Sequence, residues 1–485
     1  MQQAKLSRRG VMALFSWTGT AALLGCGTDS HAGDGQHVLI LGAGLSGLCA
    51  AYELQKAGFT VTLLEGRDRI GGRVWTVREP FADGYFAEIG AARIASTHKH
   101  VLAYADELGL ELTEIPGGDP LFYIGEKRFM KVAGEPWPIA GLNDNEKTAE
   151  LGDLWGMYVQ PNFAGFGNLD NGDFTADEVA QYDGMTWVDY LRQQGASEAF
   201  LPLYAADNGS EVYTIGALAW MMAEVIDQDW SETFHIRHGN DQLPRRLAEE
   251  VGEENILLAH KVVRIERGDN SVTVIASADG KQVSFTADHV VCTLPFPLLR
   301  DVEVAPAFPA DKAECIGTNQ LMNAGRAYLQ TNTRFWAKEK IGGLKIAVTD
   351  TPIERLWDLS PVQEPGSEKG IFLSYTMDKN ADAYCGKTMD ERQEYTLGHV
   401  EKFFPEIRSE TVAFFHHCWR EDPWAKGAWT DTLPTKWWTF AVARRPEGRI
   451  HFAGEHTSAW AGWMEGALDS GRRVAQEIAT GQMVL

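Results

Sequence analysis

Residues 37–65 read HVLILGAGLSGLCAAYELQKAGFTVTLLE. The first part, His37 to Leu41, is the short aliphatic run that is typical of a buried parallel strand. A glycine-rich turn follows at residues 42–47, and a helical pattern then runs from Leu48 to Ala57. Thr60 to Leu64 is again β-branched and aliphatic. Strand, glycine turn, helix and strand in this order predict the βαβ unit of a doubly wound α/β fold.

The glycine turn has the spacing that a dinucleotide requires. Gly42 permits the tight turn, Gly44 lets the backbone approach a pyrophosphate, and Gly47 lets the helix pack closely on the strand. Leu45 and Ser46 stand where the helix N-terminus would face the phosphates with its partial positive charge. The turn therefore predicts a dinucleotide site.

A second glycine pair, flanked by arginines, follows at residues 65–73, which read EGRDRIGGR. Glu65 ends the second strand, where its carboxylate can accept hydrogen bonds from an adenosine ribose. Arg67, Gly72 and Arg73 can wrap the far side of a pyrophosphate. With this run the chain resembles the flavin-containing amine oxidase family, which includes monoamine, polyamine and L-amino acid oxidases. The resemblance implies FAD as the cofactor.

The far end of the chain resembles the second flavin signature of that family. Residues 449–457 read RIHFAGEHT, a strand that ends in a turn, and residues 462–467 read GWMEGA and lead into a helix. The resemblance implies that these segments close over the ribityl chain and the flavin, and that Val263 offers backbone atoms to the adenine side. The cofactor contacts that it implies here and in the middle of the chain are Gly90, Ala91, Ala92, Arg93, Val263, Trp419, Gly454, Glu455, Gly462, Trp463 and Met464.

Two signatures at opposite ends of the chain must meet in space, so the FAD-binding domain is expected to be discontinuous. The predicted fold class is α/β, with a Rossmann-like FAD-binding domain, a mixed-sheet substrate domain and a helical insertion. Asn255 to Arg267 and Asp288 to Pro295 read as strands, and residues 301–430 read as mostly alternating strand segments. The expected boundaries are an export signal and linker (1–35), the FAD-binding domain (36–105, 235–300 and 430–485), the substrate-binding domain (106–144 and 301–429) and a helical subdomain (145–234).

Aromatic side chains are expected to hold the substrate. The resemblance places Trp429 and Trp463 on either side of the substrate nitrogen, where facing π-systems would orient an amine. Ala428 stands where monoamine oxidases carry the cysteine that bonds the flavin, so non-covalent FAD is expected. Arg326 stands where the family usually has a lysine near the flavin N5. An arginine there could hold water, hold a substrate carboxylate or point away.

The substrate class is indicated by residues 90–98, which read GAARIASTH and resemble the L-amino acid oxidase version of this region. There an arginine and a following histidine, here Arg93 and His98, clamp the substrate carboxylate. A guanidinium matches a carboxylate with two parallel hydrogen bonds, although Arg93 could instead bond the flavin or a nearby acid. The expected activity is oxidation of an L-amino acid by molecular oxygen or another electron acceptor. Alternatives are a monoamine or polyamine oxidase, a dehydrogenase, or a flavin-binding scaffold.

Four acidic residues fall in the segment that lines the substrate entrance of the family, namely Asp207, Glu211, Glu224 and Asp227. They could favour a basic substrate side chain, although solvated helix faces are the simpler interpretation. The resemblance is also compatible with a homodimer.

Charge and cysteine content exclude several other classes. The 44 basic and 67 acidic residues give a net charge of −23, which argues against nucleic acid and anionic membranes as partners. The six cysteines form no CxxC pair, so neither a zinc ribbon nor a thioredoxin-type motif is predicted. The local cluster from His416 to Cys418 reads as ordinary strand sequence, and we expect no metal site. Disulfides stay open, because sequence cannot pair them.

The amino terminus resembles a twin-arginine export signal. Arg8 and Arg9 precede an apolar run from Val11 to Gly25, which is too short to span a bilayer comfortably. The pattern predicts a periplasmic or secreted protein, with a short anchor or a fortuitous stretch as the alternatives. Residues 23–26, LLGC, loosely resemble a lipoprotein cleavage box, which would tether the protein by a lipid anchor at Cys26.

Overall fold

The computed structural model describes residues 35–158, 174–226, 232–363 and 368–484. The predicted export signal, Cys26 and Asp227 lie outside the described residues. None of the helices in the described ranges has both the length and the apolar composition needed to cross a membrane.

Helices are distributed along the whole described chain. They are α1 (Leu45–Lys56), α2 (Lys99–Glu107), α3 (Leu151–Tyr158), α4 (Ala176–Tyr182), α5 (Trp187–Gln193), α6 (Phe200–Asn208), α7 (Ala217–Ile226), α8 (Gln242–Val251), α9 (Phe296–Leu299), α10 (Ala310–Thr318), α11 (Asp378–Cys385), α12 (Met389–Val400), α13 (Ile407–Glu410), α14 (Thr439–Arg444) and α15 (Met464–Thr480).

Strands alternate with these helices. They are β1 (His37–Leu41), β2 (Thr60–Leu64), β3 (Thr76–Val77), β4 (Ala87–Glu88), β5 (Ile94–Ala95), β6 (Leu112–Glu114), β7 (Leu121–Ile124), β8 (Lys127–Met130), β9 (Thr233–Ile236), β10 (Ile256–Leu257), β11 (Lys261–Arg267), β12 (Val272–Ala278), β13 (Lys281–Ala287), β14 (His289–Cys292), β15 (Glu303–Ala305), β16 (Gln320–Leu321), β17 (Ala324–Thr331), β18 (Lys345–Thr349), β19 (Arg355–Asp358), β20 (Gly370–Met377), β21 (Thr411–Cys418), β22 (Thr430–Asp431) and β23 (Ile450–Phe452).

A five-stranded parallel sheet has the order β10-β2-β1-β14-β23, with β1 at its centre. Its strands come from three separate parts of the sequence, because β1 pairs with β2 on one side and with β14 on the other. Helix α1 packs against α15, and Ser46 Oγ lies 3.2 Å from Ser470 Oγ. The close approach needs small residues, since a Cβ on Gly471 would lie 2.7 Å from the Ser46 carbonyl oxygen. The first and last helices therefore share one core.

A seven-stranded mixed sheet has the order β21-β17-β20-β19-β18-β7-β8. Its pairs are antiparallel except for β7 and β18, which run parallel. Every residue of β17 and β20 is buried, so side chains on both faces of these strands lie in the interior. Helices α3 to α7 form a third part, and their core residues Trp187, Tyr190 and Leu203 belong to one hydrophobic cluster with Phe122 of β7 and Val348 of β18. The predicted α/β class with a Rossmann-like sheet, a mixed sheet and a helical insertion is confirmed.

The structure differs from the expected elements in two places. Residues 301–430 hold α10 to α13 as well as strands, and α12 begins with a capping box in which Thr388 and Glu391 satisfy each other's backbone amides. The strand expected from Asn255 to Arg267 is two strands in different sheets. The short β10 joins the parallel sheet, and β11 joins a separate sheet ordered β13-β12-β11-β15. Because only three residues separate β10 from β11, the two strands read as one run in the sequence.

Candidate active site

A cavity of about 1210 Å³ runs along the carboxyl ends of the parallel strands and under the mixed sheet. Gly42, Glu65, Thr293 and Gly454, which follow β1, β2, β14 and β23, line it. This is the place where doubly wound sheets bind their ligands. The predicted site residues on its wall are Gly42, Gly44, Leu45, Ser46, Glu65, Arg67, Gly72, Arg73, Gly90, Ala91, Ala92, Arg93, Arg326, Trp419, Trp429, Gly454, Glu455, Gly462, Trp463 and Met464.

Two predicted residues and one suggested partner lie elsewhere. Gly47 does not line the cavity, and a Cβ there would lie 2.1 Å from the Gly42 carbonyl oxygen, which fits its expected role in packing the helix on the strand. Val263 is also absent from the wall, where Lys261 and Val262 stand instead. His98 is fully buried behind the wall, and its ring lies 5.0 Å from that of Trp463. Burial and nearby Arg93 lower the pKa of His98 to about 3, so it brings no positive charge for a carboxylate.

The end of the cavity near α1 is built for a nucleotide. A Cβ on Gly44 would meet nothing closer than the Gly72 Cα at 4.0 Å, so the backbone there faces open space. The buried Glu65 carboxylate accepts hydrogen bonds from the amides of Ala43 (2.9 Å) and Arg67 (2.8 Å), which fix its position at the wall. Asp422 accepts two hydrogen bonds from the Arg67 guanidinium, at 2.7 and 3.0 Å, and fixes that side chain as well.

An ion pair joins the two glycine-bearing signatures. The Arg73 Nη1 atom donates to Glu455 at 2.6 Å and to the Ala428 carbonyl oxygen at 2.8 Å. Glu455 also accepts from the Gly462 amide at 2.9 Å. Burial opposes ionisation of Glu455, but Arg73 and the surrounding donors lower the pKa of its carboxyl. The pair therefore holds the segment after β2 against the segment after β23.

Aromatic rings surround Arg93 at the other end of the cavity. The guanidinium carbon of Arg93 lies 4.2 Å from the centroid of the Trp357 ring and 5.3 Å from that of Trp463. Trp429 packs against Gly462, the residue before Trp463, and its ring lies 6.3 Å from that of Tyr375. The two predicted tryptophans thus share this stretch of wall with a fixed cation.

Arg326 supports the loop that carries Arg93. From β17 its Nη1 atom donates to the Glu88 carbonyl oxygen at 2.9 Å and to that of Gly90, and its Nη2 atom donates to the Tyr375 hydroxyl at 3.1 Å. Its guanidinium also lies over the Tyr375 ring, with 4.4 Å to the centroid. The sequence left open whether Arg326 holds water, holds a substrate carboxylate or points away. In the structure its guanidinium is hydrogen-bonded to the protein itself.

Several wall residues had no signal in the sequence. Trp357 and Arg355 come from β19, Tyr375 from β20 and Lys345 from β18, and all four line the cavity. We call the part of the cavity around Arg93 and Trp357 the substrate end. An isolated aromatic or basic residue in a strand does not reveal which face it occupies until the pairing of the strands is known. Trp419, which was expected by resemblance, is buried and donates its indole N–H to the Ile89 carbonyl oxygen at 3.0 Å.

The cluster from His416 to Cys418 holds no thiolate. Cys418 forms a disulfide with Cys385, which pairs two cysteines that the sequence left unassigned. Within the described ranges no group of three His, Cys, Asp or Glu side chains is arranged to hold a metal ion.

The residues of the cavity fit a flavin dinucleotide. The open backbone at Gly44 and the anchored Glu65 suit the phosphate and ribose portions. The His456 ring is buried, lines the cavity, and has no hydrogen-bond partner for either nitrogen among the described residues. It therefore offers a polar atom that a ligand could satisfy.

Comparison with known proteins agrees with this geometry. Residues 45–479 match the family model described as flavin containing amine oxidoreductase. The flavin-dependent L-tryptophan oxidase RebO of Lentzea aerocolonigenes is 30% identical over 485 residues, covering 92% of this chain and 98% of its own. An L-amino-acid oxidase of Siganus canaliculatus is 30% identical over 462 residues, covering 92% of this chain and 86% of its own.

The fold is also that of a solved structure. Cyclohexylamine oxidase from Brevibacterium oxydans IH-35A superposes with a TM-score of 0.78 at 24% sequence identity, covering 92% of this chain and 99% of its own. The match to the family model spans most of the chain, from α1 to α15. The chain therefore belongs to the flavin-containing amine oxidoreductase family, and its cofactor is a flavin.

Proposed function

We propose that this protein oxidises an L-amino acid with non-covalently bound FAD. The observation that carries the proposal is the position of Arg93, whose guanidinium lies between Trp357 and Trp463 on the wall of the flavin cavity. A guanidinium held in one orientation suits a substrate that carries a carboxylate beside its amine. The two relatives named as L-amino-acid and L-tryptophan oxidases support the same substrate class.

The proposed overall reaction consumes an L-amino acid, O₂ and water and yields the 2-oxo acid, ammonia and hydrogen peroxide. The bound flavin supplies the acceptor for the hydride that leaves the α-carbon. Arg93 would bind the carboxylate and so fix the direction of the α-C–H bond, while Trp429 and Trp463 would confine the amine. The buried aromatic wall would keep bulk water away from the carbon–nitrogen bond as it is oxidised.

Non-covalent attachment is supported by the residues of the cavity wall. Ala428, which by resemblance stands where monoamine oxidases carry the flavin-bonding cysteine, lines the wall, and no cysteine among the described residues lines it. We expect acid precipitation to release the yellow chromophore into the supernatant. A chromophore that stays in the protein pellet would contradict this part of the proposal.

A monoamine or polyamine oxidase is the second candidate, supported by the two tryptophans on the cavity wall and by the fold shared with cyclohexylamine oxidase. The deciding experiment compares each amino acid with its decarboxylated amine, for example L-leucine with 3-methylbutylamine. We expect Arg93→Met to lower kcat/KM for the amino acid by about 100-fold and to change that for the amine only a few-fold. Equal losses on both substrates would refute the carboxylate clamp, and turnover of amines alone would favour the second candidate.

We propose O₂ as the acceptor and export through the twin-arginine signal, both of which follow from the resemblance and the sequence. Anaerobic turnover with an artificial acceptor that far exceeds aerobic turnover would favour a dehydrogenase instead. Replacing Arg8 and Arg9 together by lysine should keep the protein in the cytoplasm if the signal is used.

A further inference from the structure

Of the four acidic residues that the sequence placed near the substrate entrance, three lie within the described residues and line the cavity, and two of these three already have partners. Asp207 accepts a hydrogen bond from the Lys345 ammonium at 2.6 Å. Glu224 accepts from the indole N–H groups of Trp155 (2.7 Å) and Trp220 (2.6 Å). The Lys345 ammonium therefore balances the charge of Asp207, and the two indole groups satisfy the carboxylate oxygens of Glu224.

Glu211 differs from both. It lies in a short 3₁₀ turn (Ser210–Tyr213), lines the cavity and is only 5% exposed. No donor among the described residues reaches its Oε2 atom. A Cβ on the neighbouring Gly209 would lie 2.1 Å from this oxygen, so the local backbone closely confines the carboxylate. A buried oxygen without a partner costs free energy unless a ligand satisfies it.

The positive groups near Glu211 are engaged elsewhere. Arg355 donates to the Asp207 carbonyl oxygen at 2.7 Å and to the Met377 sulfur at 3.2 Å. Its charge favours ionisation of Glu211, but it donates no hydrogen bond to that carboxylate and forms no ion pair with it. The Lys345 ammonium pairs with Asp207.

The other charged groups near Glu211 are acidic. Glu354 accepts hydrogen bonds from Ser210 Oγ at 2.8 Å and Asn380 Nδ2 at 2.9 Å. Asp431 is also buried and acts on Glu211 as a like charge. The pocket around Glu211 therefore contains more acidic than basic groups.

We propose that Glu211 binds the positively charged end of a basic substrate side chain, so that the preferred substrates are L-amino acids with a guanidinium or an ammonium group. This inference rests on the proposed function, in which Arg93 binds the carboxylate. Trp357 lies between the two sites in the sense that Arg93 is 4.2 Å from its ring centroid, while Arg355, whose charge acts on Glu211, is 5.7 Å from the same centroid. A chain reaching past Trp357 would lead from Arg93 toward the Glu211 pocket.

The first test compares L-arginine with L-citrulline, which has nearly the same shape and no side-chain charge. On the flavin-loaded wild type we expect kcat/KM to favour L-arginine by at least about 10-fold, since hydrogen bonds to a charged group discriminate at this level. Glu211→Gln should reduce that ratio to near one by lowering the value for L-arginine. The matched control is Glu224→Gln, which removes a satisfied carboxylate from the same wall and should leave the ratio unchanged.

The second test measures binding without oxidation. n-Propylguanidinium carries the cation but neither the carboxylate nor the α-amine, and it is titrated calorimetrically into the flavin-loaded proteins. We expect Glu211→Gln to bind it at least about 10-fold more weakly than the wild type does. If Glu211→Gln does not fold, Glu211→Asp keeps the charge, withdraws it by one methylene and should weaken binding in the same direction.

The outcomes separate the two proposals. If no amino acid is oxidised but n-propylguanidinium binds through Glu211, the proposed function fails and the cation site stands. If the wild type oxidises neutral amino acids with the same kcat/KM as L-arginine, the cation site is refuted and the proposed function stands. Equal binding of n-propylguanidinium by wild type and variant also refutes the cation site.

Discussion

At the scale of single residues, Arg326 supports the loop that carries Arg93. Arg326→Met would leave the carbonyl oxygens of Glu88 and Gly90 without their buried donor, and we expect a loss of about 3 kcal/mol in the free energy of unfolding. Arg326→Lys should recover only part of this stability, because one ammonium cannot reach all three partners of the guanidinium. Thermal unfolding measures both, with Arg264→Met, at a partly exposed surface arginine, as a control that should leave Tm nearly unchanged. A stable Arg326→Met protein with unchanged flavin content would contradict this supporting role.

Glu211 predicts a dependence of stability on pH. Burial raises the pKa of its carboxyl to about 8 in the folded protein, from an ordinary value of 4.5. Between these values the folded state binds a proton that the unfolded state does not, so stability decreases as pH rises through this window. Glu211→Gln removes the effect, so its advantage over the wild type in the free energy of unfolding should grow by on the order of 3 kcal/mol between pH 5 and pH 8, with a matching growth in its Tm advantage. A difference in Tm that is the same at both pH values would contradict a buried Glu211 that is protonated when no cation is bound.

Residues in contiguous motifs could be placed from the sequence, whereas those in separate strands could not. Glu65 directly follows β2 and Arg73 directly follows the second glycine pair, so their place on the cavity follows from local geometry. Trp357 and Tyr375 reach the wall only through the pairing of β19 with β20, which spacing alone does not reveal. The same limit explains His98, whose proximity to Arg93 in sequence indicated a clamp although its ring points behind the wall.

At the scale of elements, β1 and β2 have the predicted bounds, and α1 begins three residues earlier than predicted, at Leu45. The earlier start follows because the last residues of the glycine motif are themselves helical, which brings the N-terminus of α1 to the cavity. Helices α10, α11 and α13 have nine residues or fewer, which is too short for a clear helical periodicity, so they were missed. Helix α12 has 12 residues and was missed although its capping residues were visible in the sequence.

The junction between β1 and α1 gives a matched pair of variants. Gly47→Ala would place a methyl group 2.1 Å from the Gly42 carbonyl oxygen, so we expect a loss of more than about 3 kcal/mol and little soluble protein. In Gly44→Ala, the atom nearest to the added methyl group would be the Gly72 Cα at 4.0 Å, so the variant creates no clash. It should fold and bind flavin more weakly, because its methyl group points toward the phosphate position. Flavin absorbance and circular dichroism separate the two effects, and a well-folded Gly47→Ala protein would show that the junction tolerates expansion.

At the scale of the whole molecule, one disulfide links the end of α11 to the end of β21. It closes a loop between residues separated by 33 positions, Cys385 and Cys418. By the loop-closure model, the double variant Cys385→Ser/Cys418→Ser should lose about 3–4 kcal/mol of stability. Reduction of the wild type should give the same decrease in Tm, while the double variant should not respond to reductant. A wild type whose Tm is unaffected by complete reduction would contradict this expectation.

The ion pair between Arg73 and Glu455 also sets a constraint on biosynthesis. Arg73 and Glu455 lie 382 positions apart in the chain, so a nascent polypeptide that already contains β1 and α1 still lacks β23, Glu455 and α15. Cofactor capture must therefore wait until these later elements have been synthesised. A product that terminates before β23 would stay colourless.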